Sequence, residues 1–235
     1  MDTPAYNIAI FYVTTTQKQS KSSTPVTLSP LKPIKDLHFN PINHTYTWKG
    51  KVIPVSTTAI LSFDMDDLAR AAIAKDKPNW EPRGNTLHDL MQCHFEGKPL
   101  EFGDYREWGE PLLEHPLLTR YKALACEFRL VDKRGRYAGS LDALLRGIGS
   151  DGKERTLLVD LKTLKHAHSS TRSVAAQCGA YLSMLAQHFP TLWVDNVVGL
   201  FSKPGSVDLV THSCQDCLDA WDQRWKDYCD WEPEF

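Results

Sequence analysis

Residues 157–168 read LLVDLKTLKHAH. Leu157, Leu158, Val159 and Leu161 make an apolar run of the length of a buried strand. Asp160 interrupts that run, and Lys162 follows two positions later. Side chains two apart in a strand point to the same face. An acid and a base therefore share one face of a strand whose other residues belong in a core.

The flanking segments say what kind of sheet holds this strand. Upstream, LACEFRLVD (124–132) alternates, KRG (133–135) turns, and YAGSLDALLRG (137–147) returns. SDGKER (150–155) turns again into TLLVDLKT (156–163), which is mostly apolar and so central. Downstream, TRSVAAQCGAYLSMLAQHF (171–189) predicts an amphipathic helix with Val174, Cys178, Tyr181, Leu182 and Leu185 near one stripe. DNVVGLFS (195–202) and SVDLVTH (206–212) read as strands around a KPG turn, and QDCLDAWDQRWKDYC (215–229) as a closing helix. Toward the N-terminus, HTYTWKGKVIPVS (44–56) predicts a hairpin turning near Gly50, with Ser56 or Thr57 capping a helix that carries Ile60 and Leu61. MDDLARAAIAK (65–75) predicts a helix that Pro78 ends. PRGNTLHDLMQCHFEGK (82–98) predicts another, capped by Asn85 or Thr86 and stopped by Gly97, with Leu87, Leu90 and Met91 on one face. This order predicts an α/β fold: a mixed central β-sheet flanked by helices.

The chain has 235 residues, enough for one domain with a sizeable core. Residues 1–33 split into a strand at 6–15 and a Ser-, Thr-, Pro- and Lys-rich stretch at 16–33, so we expect an arm and linker there and a single domain over 34–235. At 42% hydrophobic and 24% charged, the composition is that of an ordinary soluble globular protein. No apolar run is long enough to cross a bilayer, so no membrane partner is expected. Six cysteines are too few for a disulfide scaffold at this length, and no signal-peptide pattern opens the chain; the expected compartment is the cytoplasm, or the host cytoplasm if phage-encoded.

The net charge of −2 does not mark a nucleic-acid binder, but the charge is uneven. Residues 129–172 carry ten Lys or Arg against five Asp or Glu, whereas 213–235 carry two against seven. A basic middle attracts phosphate even when an acidic tail cancels it in the sum. Solvated surface charge accounts for the same pattern.

The chemistry concentrates around the opening strand. If 137–147 and 156–163 are neighbours, Asp142 and Asp160 face one another. Two close carboxylates repel unless a cation sits between them. Oxygen ligands suit Mg²⁺ or Mn²⁺, one or two ions. Lys162 then orients or helps deprotonate a water, or stabilises charge on a phosphate. Thr163 is a candidate phosphate contact, and Lys165, His166, His168 and Arg172 follow as a candidate basic mouth beside the site, with a solvated loop as the rival reading. Glu127 in CEFRL is a weaker candidate for an extra acid. Tyr46, Trp48 and Trp80 are candidates for stacking on bases, although aromatics in hairpins more often pack.

Together, GSLDALL, LLVDLKT and QCGAY resemble the PD-(D/E)xK nuclease superfamily in its RecB-like or exonuclease branch. The branch's G-x-x-D, D-x-K and Q-x-x-x-Y elements read here as Gly139 to Asp142, Asp160 to Lys162 and Gln177 to Tyr181. GNTLH supplies the upstream G-x-x-x-H as Gly84 and His88. The hairpin ahead of them is similar to the lead-in of mitochondrial genome maintenance exonucleases. The proline of the name is absent, Leu141 preceding Asp142, a departure that RecB-like members often share.

The resemblance implies a restriction-endonuclease-like core with its site at the edge of the sheet. It implies metal ligation by His88, Asp142, Asp160 and the backbone carbonyl of Leu161, a catalytic set of Asp142, Asp160 and Lys162, and Gln177 and Tyr181 bracing the site or touching DNA. The implied activity is Mg²⁺- or Mn²⁺-dependent hydrolysis of DNA by an exonuclease in recombination, repair or replication. The implied substrates are single strands or duplex ends, and the implied partners a second copy of the chain or a recombination protein. An endonuclease, or a nuclease subunit of a larger complex, is the rival enzyme reading. A non-catalytic DNA-binding module of the same fold is the rival of another class. No Walker motif indicates a fused helicase. Some RecB-like relatives hold an iron–sulfur cluster on four cysteines, but Cys93 follows His88 rather than preceding it, and Cys229 lies far from Cys214 and Cys217, so no cluster is expected.

Overall fold

In a computed structural model, residues 30–169, 171 and 173–231 are described. The strand expected at 6–15, most of the linker, and Arg172 lie outside the described residues.

The hairpin forms as β2 (Thr45–Trp48) and β3 (Lys51–Val52), and β1 (Leu37–Asn40), which the sequence reading did not anticipate, adds to it antiparallel with Phe39 opposite Tyr46. Lys49 and Gly50 both have positive φ (51° and 75°), as a tight two-residue hairpin turn requires. This small sheet buries Tyr46 and Ile53 against Val131 and Ala138 of the main sheet.

β4 (Val55–Ser56) leads into α1 (Thr57–Leu61), where the Ser56 hydroxyl accepts from the Ala59 N–H and so is the cap. The next segment corrects the sequence reading. Pro78 does not end a helix, and Asn85 and Thr86 cap none: α2 is one 30-residue helix, Asp67–Glu96, with Pro78 and Pro82 inside it. Asp66 caps its start by accepting from the Ala69 N–H, and Gly97 ends it in the left-handed conformation. The prolines are tolerated because most of the turns around them are exposed, so the carbonyls they leave without an N–H face water. Thr86, mid-helix, turns its hydroxyl back to the Pro82 carbonyl at 2.9 Å. Two short helices, α3 (Arg106–Glu114) and α4 (Pro116–Arg120), were also not anticipated.

The meander follows as expected: β5 (Tyr121–Val131), β6 (Tyr137–Ile148) and β7 (Glu154–Thr163). α5 (Ala175–His188) crosses over to β8 (Asn196–Lys203), β9 (Ser206–His212) returns, and α6 (Cys214–Asp230) closes the order. The sheet runs β4-β6-β7-β8-β9, with β5 also paired to β6. The β7–β8 and β4–β6 pairs are parallel and the others antiparallel, so the sheet is mixed and β7 is central.

Alternation along β7 assigns the two faces. Leu157, Val159 and Leu161 pack with Leu87, Leu90, Met91 and Leu112 of α2 and α3. Leu158 packs on the opposite side with Cys178, Tyr181 and Trp221 of α5 and α6. α5 and α6 approach so closely that a Cβ on Gly179 would stand 1.9 Å from the Cys217 carbonyl oxygen.

Candidate metal centre

The site lies where two strands part. β6 and β7 pair from Ile148↔Glu154 up to Ala143↔Val159, and no further. Beyond that point β6 runs on beside β5 and meets β4, while β7 stays with β8. Asp142 and Asp160 are the first residues past the last pair, one on each prong of the fork. The Leu161 N–H has lost its β6 partner there, and the Asp142 carboxylate accepts it through Oδ2 at 2.7 Å. Asp142 is thus fixed by backbone, with Oδ1 turned elsewhere.

That second oxygen faces His88, whose Nδ1 lies 3.8 Å from it and 2.9 Å from Glu127 Oε1. His88 arrives from α2, Glu127 from β5 and Asp142 from β6, and one ligand atom from each lies within 4.8 Å of the others. In the β5–β6 ladder Cys126 is opposite Ala143 and Phe128 opposite Leu141, which sets Glu127 across from Asp142. Glu127 is held at φ 45°, a left-handed conformation that an L-residue adopts inside a strand only under constraint. Burial opposes charge on His88, but Asp142, and then Glu127, outweigh it and raise its pKa to about 9.

On the other prong, Asp160 and Lys162 do share a face, with the ammonium 2.7 Å from Asp160 Oδ2. Asp160 is 1% exposed, and neither of its oxygens makes a well-directed hydrogen bond among the described residues. Burial first, and the nearby Asp142 carboxylate after it, lift its pKa to about 6 in spite of Lys162. Burial works against the charge on Lys162 as well, yet Asp160 and Asp142 hold its pKa above the ordinary lysine value.

Gln177 and Tyr181 form the floor. Gln177 donates to the Tyr181 hydroxyl at 3.1 Å. Tyr181 is buried, and its pKa is pushed well up by burial and then by Asp142 and Asp160. Its ring presses on Gly139, where a Cβ would lie 2.9 Å from Tyr181 Cε1 and 2.7 Å from the Thr57 hydroxyl. The glycine three residues before Asp142 therefore lets the tyrosine in under the fork.

The sequence-predicted residues divide accordingly. His88, Asp142, Asp160, Lys162, Gln177 and Tyr181 converge on the fork. Glu127, the weaker candidate, belongs to the tight cluster, whereas Asp160 stands beside it, engaged by Lys162. Leu161 contributes its N–H to Asp142. Thr163 is half-buried at the end of β7, and Lys165, His166 and His168 are exposed in the turn after it, the two histidine rings stacked at 5.5 Å. Tyr46 is buried with its hydroxyl 3.1 Å from the Ser140 hydroxyl, and the Trp48 ring is covered by Lys49 at 4.2 Å, so the hairpin aromatics are packed. Cys214 and Cys217 begin α6, and Cys217 is fully buried beneath Gly179. An open cleft of about 510 Å³, lined by Lys32, Lys35, Trp48, Lys49, Lys133 and His188 among others, includes none of the cluster residues.

No helix among the described residues is long and apolar enough to cross a membrane. Compared with models of known protein families and with curated proteins, the chain matches none.

Proposed function

We propose that this chain is a divalent-cation-dependent deoxyribonuclease with a restriction-endonuclease-like core, acting as an exonuclease. The observation that carries the reading is the convergence of His88, Glu127 and Asp142 beside the buried Asp160–Lys162 pair at the fork of β6 and β7. The donor set fits Mg²⁺ or Mn²⁺: two carboxylates and an imidazole within reach of one ion, with a third carboxylate adjacent whose buried oxygens lack well-directed partners. His88, Glu127 and Asp142 would hold the ion, with Asp160 completing its oxygen shell. A bound cation lowers the pKa of water and offsets charge on a phosphate.

The chain's own groups divide the remaining work. Lys162 stays protonated at neutral pH, so it donates hydrogen bonds and positive charge and does not take a proton. It thereby orients the attacking water or stabilises the developing oxyanion. Asp142, anchored by the Leu161 N–H, holds its other oxygen toward the cluster. Tyr181, kept neutral, is a hydrogen-bond donor beside the acids. The order of the G-x-x-x-H, G-x-x-D, D-x-K and Q-x-x-x-Y elements supports DNA as substrate and an exonuclease as the type.

Labelled single- and double-stranded DNA, linear and circular, incubated with Mg²⁺, Mn²⁺ or EDTA tests this. Cutting of linear DNA with either metal, absent in EDTA and in Asp160→Ala and Lys162→Ala, is expected. A wild type that binds DNA and cuts none of it would make the chain a binding module. Equal cutting of circles would make it an endonuclease.

A further inference from the structure

Arg83 lies on α2, five residues before His88, and is 7% exposed. Its buried Nε has no hydrogen-bond partner among the described residues. Tyr105 and Asp76 bear on its charge from a distance, but no carboxylate among the described residues forms an ion pair with it. The guanidinium carbon sits 5.5 Å from the centre of the Trp108 ring. Trp108 is itself fixed: its indole N–H donates to the Leu164 carbonyl at 2.8 Å, and its own carbonyl accepts from the Ser202 hydroxyl at 2.9 Å. Ser202 is the register partner of Thr163. Trp108 thus clamps the ends of β7 and β8, at the edge where Lys162 and Thr163 stand, and Arg83 rests on that clamp.

A buried cation without an anion is strongly unfavourable. Stacking on one indole offsets only part of that cost. The rigid fork of donors on arginine matches a phosphate two bonds at a time. We propose that Arg83 binds a backbone phosphate of the nucleic-acid strand next to the reacting one, at the exit of β7. The need for an acceptor stands on the buried, unpartnered Nε of Arg83; the strand as its source rests on the nuclease reading. Through Trp108 and the Leu164 carbonyl, Arg83 is tied to the exit of β7, two residues past Lys162. The side chain is a binding residue, with no part in proton transfer.

The test measures DNA binding by fluorescence anisotropy in EDTA over a range of salt, with thermal melting alongside, for wild type, Arg83→Met and Arg83→Lys. Arg83→Met should weaken binding about tenfold and flatten the slope of log K against log salt by about 0.7–0.9, the share of one phosphate contact. Its Tm should hold or rise, because the substitution removes an unpaired buried charge. Arg83→Lys should recover the slope but only part of the affinity. An unchanged slope in Arg83→Met overturns the proposal, and so does a fall in Tm, which would mean that the arginine is a structural tie. Cutting with Mn²⁺ is scored in parallel. A wild type that cuts while Arg83→Met binds as it does sinks the Arg83 assignment alone. A wild type that binds without cutting sinks the nuclease reading and leaves the Arg83 result standing. A wild type that neither binds nor cuts sinks both.

Discussion

At the residue scale, the fork asks two unusual things of single side chains. Asp142 stands in for a missing strand, accepting a backbone N–H that β6 no longer serves. Asparagine keeps an acceptor there and alanine does not. Asp142→Ala should therefore be less stable than Asp142→Asn by about 1–3 kcal/mol, the cost of orphaning a buried N–H, while both lose cutting. Denaturant unfolding of the pair checks this, and equal stabilities would show that the hydrogen bond does not matter. Glu127 is held in a conformation that favours glycine. Glu127→Gly should thus be more stable than Glu127→Ala by about 1 kcal/mol, the reverse of the usual order in a strand. If alanine proves the more stable, the strain at Glu127 is absent. These residues also mark how far the sequence could be read. Asp142, Asp160, Lys162 and His88 were legible from their motifs. Glu127 was legible only as a stray acid, because neither its φ nor its register opposite Asp142 shows in a linear pattern. Arg83 gave no signal at all, since a buried and unpaired state is a property of the packed molecule.

At the element scale, alternation and turn chemistry revealed the meander, α5 and α6, because those elements have one apolar face each and turns marked by glycine. α2 was misread for a physical reason. Its first half packs on little, so nothing in its periodicity argued against a break at Pro78, and the exposed helix absorbs the proline instead of stopping. Pro78→Ala should restore the lost hydrogen bond and stabilise the protein by about 1–3 kcal/mol, read as a rise in Tm. No rise would mean that this part of α2 already unfolds ahead of the core. The packing of α5 on α6 is the opposite case. Gly179→Ala has no room beside the Cys217 carbonyl, so the helices must separate. Since α5 carries Gln177 and Tyr181, the expected result is a loss of about 3 kcal/mol or more together with weakened cutting. Unchanged stability would show that the two helices are not in close contact.

At the scale of the whole molecule, the site is a charge problem that the fold solves only in part. The carboxylates of Glu127, Asp142 and Asp160 meet one imidazole, His88, and one ammonium, Lys162, at a largely buried fork, and a cation that takes His88 as a ligand displaces the proton that the acids favour there. The strand ends are held apart by side chains where a ladder would otherwise close, so the native state gains from any ion that fits between them. A ligand that binds only the folded state stabilises it by mass action, by about 2.7 kcal/mol at a hundredfold excess over Kd. For a domain of this size that corresponds to a rise in Tm of about 5–10 °C. The melting temperature of the wild type should therefore climb with Mn²⁺ and fall back on adding EDTA. Asp142→Asn and Glu127→Gln should lose most of the rise, because each removes one of the charged oxygen donors, while Lys226→Gln on the exposed face of α6 should keep all of it. This separates a built site from ions held loosely over the acidic tail, where acidic residues outnumber basic ones but no cluster is organised among the described residues. A rise that survives in Asp142→Asn would place the cation elsewhere, and no rise in the wild type would mean that the fork holds its charges without one.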